Sequence, residues 1–336
     1  MTASRHSRGR ERLLSVAAGT PADRPPVSFW RHFYTEENDP RALADALLGF
    51  HRDFGWDWIK LNPRASYHLE DWGYRFEPST DPHAKPVPKF HPVATAADWA
   101  RIEPRDPDRG VLGEHLQAIR HVVAGAFGDP VLMTVFTPLS IAGDLVADDE
   151  LLKKHMHEAP GAVTLALEAI TQTFERFAVE ILNAGADGLF FATTQWASHA
   201  LLSDAEYARW GRPYDLRVLA AARDARINLL HVCDRQNMLI ELALYPVHLF
   251  NWGFADSGNL DLEEGMTRLG KRAIGGVSRN ADLLTATADD VYAKVLNLTV
   301  RLAGRPWGCG PDCSIYPHSR TENLRAVKAA LDAVGP

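Results

Sequence analysis

Short apolar segments alternate with helical ones along most of this chain, and this alternation limits the fold more than any other feature. Apolar residues at positions 167, 170, 174, 177 and 181 mark one face of a long helix. We predict strands near residues 27, 57, 131, 189, 229, 249, 273 and 306. Eight such units in 336 residues predict a single (β/α)8 TIM barrel. The alternative is a doubly wound open sheet, but no G-x-G-x-x-G follows the first predicted strand.

Local signals set the expected limits of the helices and of one long insertion. Asp39 and Pro40 form an N-cap and an N1 proline, which predict a helix to about residue 54. Other helices are predicted at 10–18, 203–224, about 236–243, 260–270, 287–303 and 320–333. Residues 62–113 are rich in proline and aromatic side chains, so we expect an insertion that forms a wall or lid. We predict one domain over residues 10–336 after a disordered basic tail at 1–9.

Charge and cysteine content narrow the class of protein. The net charge of −7 argues against a nucleic-acid partner. No run of 18 apolar residues is present, so we expect no membrane partner, and no apolar stretch follows the basic first ten residues as a signal peptide would require. Three cysteines suit a reducing compartment. We therefore expect a cytoplasmic enzyme, and the sequence is compatible with a homodimer.

A histidine and a cysteine lie two residues apart at the end of the fifth predicted strand. His231 and Cys233 point to the same side of that strand because side chains alternate along it. Cys309 and Cys313 follow the eighth strand and compete for a third ligand position. One imidazole and two thiolates are typical of a Zn²⁺ site with an open position, where a thiol substrate would bind and lose its proton more readily. The alternative is that these side chains are only core residues.

Other side chains at the predicted strand ends are candidates for contact with a substrate. Asp57 and Lys60 on the second strand are candidates for catalysis, although an ion pair is the favoured role for Asp57. Arg279 is the best candidate for an anionic group on the substrate. Asp234 either orients the metal ligands or, as we favour, caps a following helix. The remaining candidates for substrate binding are Arg31, Gln195, Trp196, Asn251 and Tyr316.

Five stretches of the chain resemble the uroporphyrinogen decarboxylase superfamily. Their order along the chain matches the family and spans nearly all of it. The resemblance implies a (β/α)8 barrel. The stretches are RERLL at 10–14, GTPADRPPV at 19–27, QWAS and LLS within 195–203 together with Tyr207 and Pro213-Tyr214, GGVSR at 275–279 and TENLRAV at 321–327.

The superfamily contains two chemistries, and the resemblance is closer to its zinc-dependent methyltransferases. These enzymes carry a methyl group from a methylcobalamin protein to coenzyme M or a similar thiol. Their zinc is held by a His-x-Cys on the fifth strand and a cysteine after the eighth, which implies His231, Cys233 and Cys313 as ligands here. The corrinoid-binding pattern Asp-x-His-x-x-Gly is absent, so a corrinoid would arrive free or on a partner protein.

The other branch decarboxylates uroporphyrinogen without a cofactor, and the sequence departs from both branches. Decarboxylases carry Arg-Gln-Ala-Gly-Arg at the first strand, whereas residues 29–34 read FWRHFY, with one arginine. Methyltransferases usually have glycine after His-x-Cys, where this chain has Asp234. We favour a zinc-dependent methyltransferase. The alternatives are a decarboxylase of uroporphyrinogen or another polycarboxylate, with Arg31, Asp57 and Arg279 handling carboxylates, and a non-catalytic barrel that binds a corrinoid or tetrapyrrole.

Overall fold

A curved sheet of seven parallel strands forms the centre of the molecule. The computed structural model describes residues 7–335. The strand order is β1-β4-β5-β6-β7-β8-β9, so each strand lies beside the next one along the chain, as in a barrel. The strands are β1 (Ile59–Leu61), β4 (Val131–Phe136), β5 (Gly188–Ala192), β6 (Leu229–Val232), β7 (Leu249–Trp252), β8 (Ala273–Val277) and β9 (Trp307–Pro311), while β2 (Arg75–Glu77) and β3 (Val87–Phe90) form a separate antiparallel hairpin.

The first predicted strand closes the barrel with a single bridge instead of a full ladder. Val27 pairs in parallel with Cys309 of β9. On its other side, the Val27 carbonyl accepts a hydrogen bond from the Asp57 amide, 2.8 Å away, just before β1. Pro25 and Pro26 have no amide hydrogen to donate, which limits regular pairing. Together with the seven strands of the sheet, this short segment makes eight strand positions around the ring. The prediction of a (β/α)8 barrel is confirmed.

Eleven helices are present in the described part of the chain. Most predicted helices match within two residues, and Asp39 caps the second helix through the amides of Arg41 and Ala42. The helices are α1 (Arg8–Ala18), α2 (Pro40–Phe54), α3 (Gly110–Gly125), α4 (Pro138–Leu145), α5 (Asp149–Glu158), α6 (Pro160–Asn183), α7 (Asp204–Trp210), α8 (Arg212–Ala221), α9 (Leu262–Leu269), α10 (Ala288–Arg301) and α11 (Thr321–Asp332).

Two helix predictions were wrong. The helix expected over 203–224 is divided into α7 and α8 at Gly211, because Pro213 in the first turn of α8 lacks an amide donor. No helix forms over 236–243. The chain there is built of turns, and Asp234 before it and Gln236 at its start have left-handed backbone angles, with φ of 67° and 49°. A helix cannot start through two such residues.

The N-terminal boundary and the insertion also differ in detail from expectation. α1 begins at Arg8, with Ser7 as its N-cap, so the predicted tail does not reach residue 9. The rest of that tail lies outside the described residues. The section 62–113 contains the hairpin of β2 and β3, two short 3-10 segments and the start of α3. None of the described helices is both long and apolar enough to cross a membrane.

Alternating side chains of the strands form two separate apolar layers. Leu132, Phe190 and Leu229 pack together inside the barrel with Trp30 and Trp58. The neighbouring strand residues, such as Met133 and Phe191, instead pack against the helices outside. His231 shares the inward orientation of Leu229 because it lies two residues further along β6. His231 therefore faces the barrel interior near the carboxyl end of β6.

Candidate metal centre

His231, Cys233 and Cys313 come together at the carboxyl end of the barrel. One ligand atom from each residue lies within 4.8 Å of the others. The two sulfur atoms are 3.7 Å apart. His231 is on β6, Cys233 follows that strand directly, and Cys313 follows β9. The His-x-Cys spacing accounts for the first pair, and the barrel brings the third residue to it across 80 positions of sequence.

Asn251 on β7 determines which nitrogen of His231 faces the sulfurs. The Asn251 side-chain nitrogen donates hydrogen bonds to the carbonyls of Ile274 and Pro311, at 2.8 and 2.9 Å. Carbonyl oxygens only accept, so the amide oxygen must be the atom that faces His231 Nδ1 at 2.5 Å. The Nδ1 atom therefore carries the ring proton, and the Nε2 lone pair is free to bind a metal.

The two thiols share a hydrogen bond that favours one thiolate. The Cys233 thiol donates to Cys313, and this bond lowers the pKa of Cys313 well below its usual value, with further help from the positive charge of Arg279. The same bond and burial raise the pKa of Cys233. Two sulfurs and one imidazole nitrogen fit a zinc ion, which takes nitrogen and sulfur ligands.

Cys309, the alternative third ligand, is excluded by its orientation. Its side chain is fully buried in the outer apolar layer between the sheet and the helices. Burial raises the pKa of this thiol to about 12. Cys309 lies within β9 and its side chain points away from the barrel interior, whereas Cys313 lies beyond the strand, where the chain can turn toward the mouth. Cys309 is a core residue.

A cavity of about 290 Å³ opens beside the three ligands. Of the predicted catalytic and substrate-binding residues, three line it, namely Lys60, Gln195 and Arg279. Gln195 is held by a 3.1 Å hydrogen bond from its amide nitrogen to Asp149. Arg279 lies 5.7 Å from the centre of the Tyr316 ring. Positive charge therefore reaches the cavity from two separate parts of the barrel, β1 and the loop after β8.

Four predicted substrate contacts do not line this cavity. Arg31 donates a 2.7 Å hydrogen bond to the Pro317 carbonyl, and with Tyr316 it lines a separate surface depression. Trp196 is fully buried against α4, so it is a packing residue. Asn251 orients His231 rather than facing the cavity. Arg31 and Tyr316 stay outside because the loops that carry them pack on α2 and α11.

Asp57 forms ion pairs at the amino end of the strands, away from the candidate metal centre. Its carboxylate pairs with Arg24 at 2.6 Å and Arg12 at 2.9 Å, and it accepts the Val27 amide at 2.8 Å. β1 begins two residues after Asp57, so this side chain lies at the amino end of the strands, away from the cavity. These contacts agree with the ion-pair role favoured for Asp57, and the pairs hold the segment that closes the barrel.

Asp234 does not cap a helix, because no helix follows it. Its carboxylate accepts the Arg235 amide at 2.7 Å, and the residue lines the cavity next to the metal ligands. Sequence analysis missed Asn62, which also lines the cavity and accepts a hydrogen bond from Lys60. The spacing of Asn62 from Lys60 could have identified it. The two residues are two positions apart, as His231 and Cys233 are, and side chains at this spacing along a strand point to the same side.

Comparisons with known proteins agree with this architecture. The profile of the family described as uroporphyrinogen decarboxylase (URO-D) matches residues 8–334. The chain is 22% identical to a methylcobamide:CoM methyltransferase MtaA of Methanosarcina barkeri over 346 residues, covering 96% of this chain and 97% of that protein. It is 27% identical to a uroporphyrinogen decarboxylase of Syntrophotalea carbinolica over 166 residues, covering 47% of each.

Solved structures show the same barrel. A methyltransferase from Methanosarcina mazei superposes with a TM-score of 0.74 at 22% identity, covering 97% of this chain and 98% of that one. A B12-independent methionine synthase from a Shewanella species superposes with a TM-score of 0.57 at 13% identity, covering 92% and 96%. Because the family profile covers almost the whole chain, this protein belongs to the uroporphyrinogen decarboxylase family.

Proposed function

We propose that the protein is a zinc-dependent methyltransferase that moves a methyl group from a methylated corrinoid to a thiol. The arrangement of His231, Cys233 and Cys313 carries the proposal, because it offers one nitrogen and two sulfurs beside an accessible cavity. The similarity to a methylcobamide:CoM methyltransferase over nearly the whole chain also supports it.

Bound zinc would lower the pKa of a thiol, so that the nucleophilic thiolate forms near neutral pH. The chain itself holds the ligands in place: Asn251 keeps His231 Nε2 directed at the site. Gln195 and Arg279 line the cavity and would contact the rest of the substrate. Aromatic walls, including Trp30 and Phe190, would limit the access of water to the reacting sulfur.

A corrinoid would reach this cavity from outside the chain. The carboxyl ends of the strands form the mouth of the barrel, so the methyl donor and the thiol would meet there. The sequence lacks the Asp-x-His-x-x-Gly pattern for holding a corrinoid. We therefore propose that the donor is presented by a separate corrinoid protein or binds as free methylcobalamin.

The competing functions are a polycarboxylate decarboxylase and a non-catalytic barrel that binds a corrinoid or tetrapyrrole. The partial match to a uroporphyrinogen decarboxylase favours the former. A substrate with many carboxylates needs several cationic partners. Lys60 and Arg279 are the lysine and arginine side chains that line the cavity in the described structure, and Arg31 is not among them. The lining therefore favours the methyltransferase.

Zinc content tests the proposal most directly. Protein purified without an affinity tag is analysed for metal beside the variants Cys233→Ala, Cys313→Ala and Cys309→Ala. We expect about one equivalent of zinc in the wild type and in Cys309→Ala, and loss of zinc from the other two. Cys309→Ala is the matched control because its sulfur faces the core.

An assay of methyl transfer distinguishes a methyltransferase from a barrel that only binds its ligand. The zinc-loaded protein is mixed with methylcobalamin and 2-mercaptoethanol, and loss of the methylcobalamin spectrum is followed together with formation of the thioether. Folded, reduced wild-type protein that takes up no zinc would overturn the methyltransferase proposal. Zinc-loaded protein that binds methylcobalamin but transfers no methyl group would favour the non-catalytic barrel.

A further inference from the structure

Lys60 is a buried cation without an acidic partner. It lies in β1, its side chain is 5% exposed, and it points into the cavity. Its ammonium group donates a hydrogen bond to the Asn62 side-chain oxygen. Among residues 7–335, no carboxylate lies within salt-bridge distance of it. A buried charge of this kind is costly unless a ligand or a nearby group balances it.

Aromatic rings place this ammonium group close to the metal ligands. Lys60 Nζ lies 4.4 Å from the centre of the Phe190 ring and 5.7 Å from that of Trp30. The Phe190 ring centre is in turn 5.4 Å from that of His231. Lys60 and His231 therefore contact the same aromatic ring, and both line the cavity with Cys233 and Cys313.

The charges of the site explain why a cation belongs there. Two thiolates would balance the two positive charges of a zinc ion, and a neutral His231 adds none. A thiol that enters and loses its proton then leaves one negative charge without compensation in a buried cavity. Arg279 also lines the cavity, but it is only partly buried, whereas Lys60 is almost fully enclosed.

We propose that Lys60 is the cationic partner of the substrate's sulfur and favours its thiolate form, an inference that rests on the proposed function. The S–H bond of the entering thiol breaks, the sulfur keeps the electron pair, and the proton leaves to the solvent. The ammonium group of Lys60 then balances the new charge. Gln195 and Arg279 are then available to contact the rest of the substrate.

A positive charge on Lys60 and a negative charge on a nearby sulfur stabilise each other. Burial lowers the pKa of Lys60 to about 7, whereas a negatively charged sulfur nearby would raise it. Negative charge at this end of the cavity thus stabilises the ammonium group. By reciprocity, the ammonium group stabilises an anionic sulfur there.

The test compares thiol binding in the zinc-loaded wild type, Lys60→Met and Lys60→Gln, with Lys154→Met on the exposed face of α5 as the matched control. Zinc content is measured first. Calorimetric titrations from pH 6 to pH 9 then use 2-mercaptoethanol, which carries no other charge, and 3-mercaptopropionate. We expect the Lys60 variants to keep their zinc and to bind both thiols about tenfold more weakly at pH 7. Their binding should reach half of its maximum about one pH unit higher.

Several outcomes would overturn the proposal. Zinc-loaded Lys60 variants that bind both thiols as the wild type does would show that the ammonium group is not a partner of the sulfur. A loss confined to 3-mercaptopropionate would place Lys60 against the carboxylate tail instead. Loss of zinc or of folding in both variants would make Lys60 a structural residue. Wild-type protein that holds zinc but binds neither thiol would overturn this inference and the proposed function together.

Discussion

A single asparagine controls the chemistry of the central histidine. Asn251 makes three hydrogen bonds at once, to two backbone carbonyls and to His231 Nδ1. The two carbonyls fix the orientation of its amide, and the amide fixes the proton on His231. The position of Asn251 at a strand end predicts a substrate contact, because a polar residue there is equally typical of substrate binding. Its true partners lie 20 or more residues away in sequence.

Replacing Asn251 should weaken metal binding without removing any ligand. In Asn251→Ala, His231 Nδ1 loses its acceptor and the ring is free to rotate or to change its protonated nitrogen. We expect zinc affinity to fall by about 10- to 100-fold, measured by competition with a chromogenic chelator. Asn183→Ala, at the exposed end of α6, is the control. Equal zinc affinity in the two variants would contradict the assigned role of Asn251.

At the scale of elements, α4 and the segment after β5 must pack closely to shape the cavity. Residues 194–196 form a short 3-10 turn after β5, and Thr194 and Gln195 in it line the cavity. Trp196 anchors this turn by packing its indole nitrogen against Gly143 of α4. The helix approaches so closely only because residue 143 has no side chain.

A side chain at position 143 should therefore disturb the turn. A Cβ atom in Gly143→Ala would overlap the indole of Trp196, and we expect a loss of about 1–3 kcal/mol in the free energy of unfolding. Gly49→Ala in α2 is the matched control, because nothing lies within 4 Å of its Cβ position. That variant should gain about 0.4–1 kcal/mol. Urea denaturation measures both, and similar stabilities of the two variants would refute the packing argument.

At the scale of the whole molecule, the long insertion is joined to the barrel by buried polar contacts as well as apolar ones. His115 of α3 is buried under the segment that follows β1. Its Nε2 accepts the Arg64 amide at 3.2 Å, and its Nδ1 donates to the Val111 carbonyl at 2.8 Å. Burial lowers the pKa of His115 to about 3. This histidine is thus neutral throughout the physiological range of pH.

The low pKa of His115 predicts a loss of stability in acid. The unfolded chain, with a histidine pKa of about 6.5, binds the proton first as pH falls. The contribution of neutral His115 is therefore fully present above pH 6.5 and is lost progressively between pH 6.5 and about 3. Between pH 7 and pH 5 the wild type should lose about 2 kcal/mol from this source.

The measurement compares urea denaturation of the wild type and His115→Asn across this pH range. The variant should be less stable at pH 7, and the difference from the wild type should shrink by about 2 kcal/mol at pH 5. His83→Asn, in the exposed loop of the hairpin, serves as the control. A difference that stays constant with pH would show that burial does not hold His115 neutral.

The sequence by itself determined the features that depend on neighbours within a few residues. Apolar periodicity identified the strands and most helices, and the two-residue step of a strand placed His231 and Cys233 on one side. Two predicted helices were wrong where local signals conflicted. Pro213 divides one of them into two helices, and the left-handed backbone of Asp234 and Gln236 prevents the other from forming. These features follow from backbone geometry, which acts over one or two turns of chain.

The tertiary structure alone decided which distant groups meet. Cys313 and not Cys309 lies beside His231 and Cys233, because the register of β9 in the barrel turns Cys309 outward. Asp57 is placed at the opposite end from Lys60, although only two residues separate them. The pairing of β6 with β7 brings Asn251 to His231. The strands that surround Lys60 likewise determine that no carboxylate of the described residues lies beside it. The closure and register of the barrel depend on contacts between segments far apart in sequence, which no local pattern encodes.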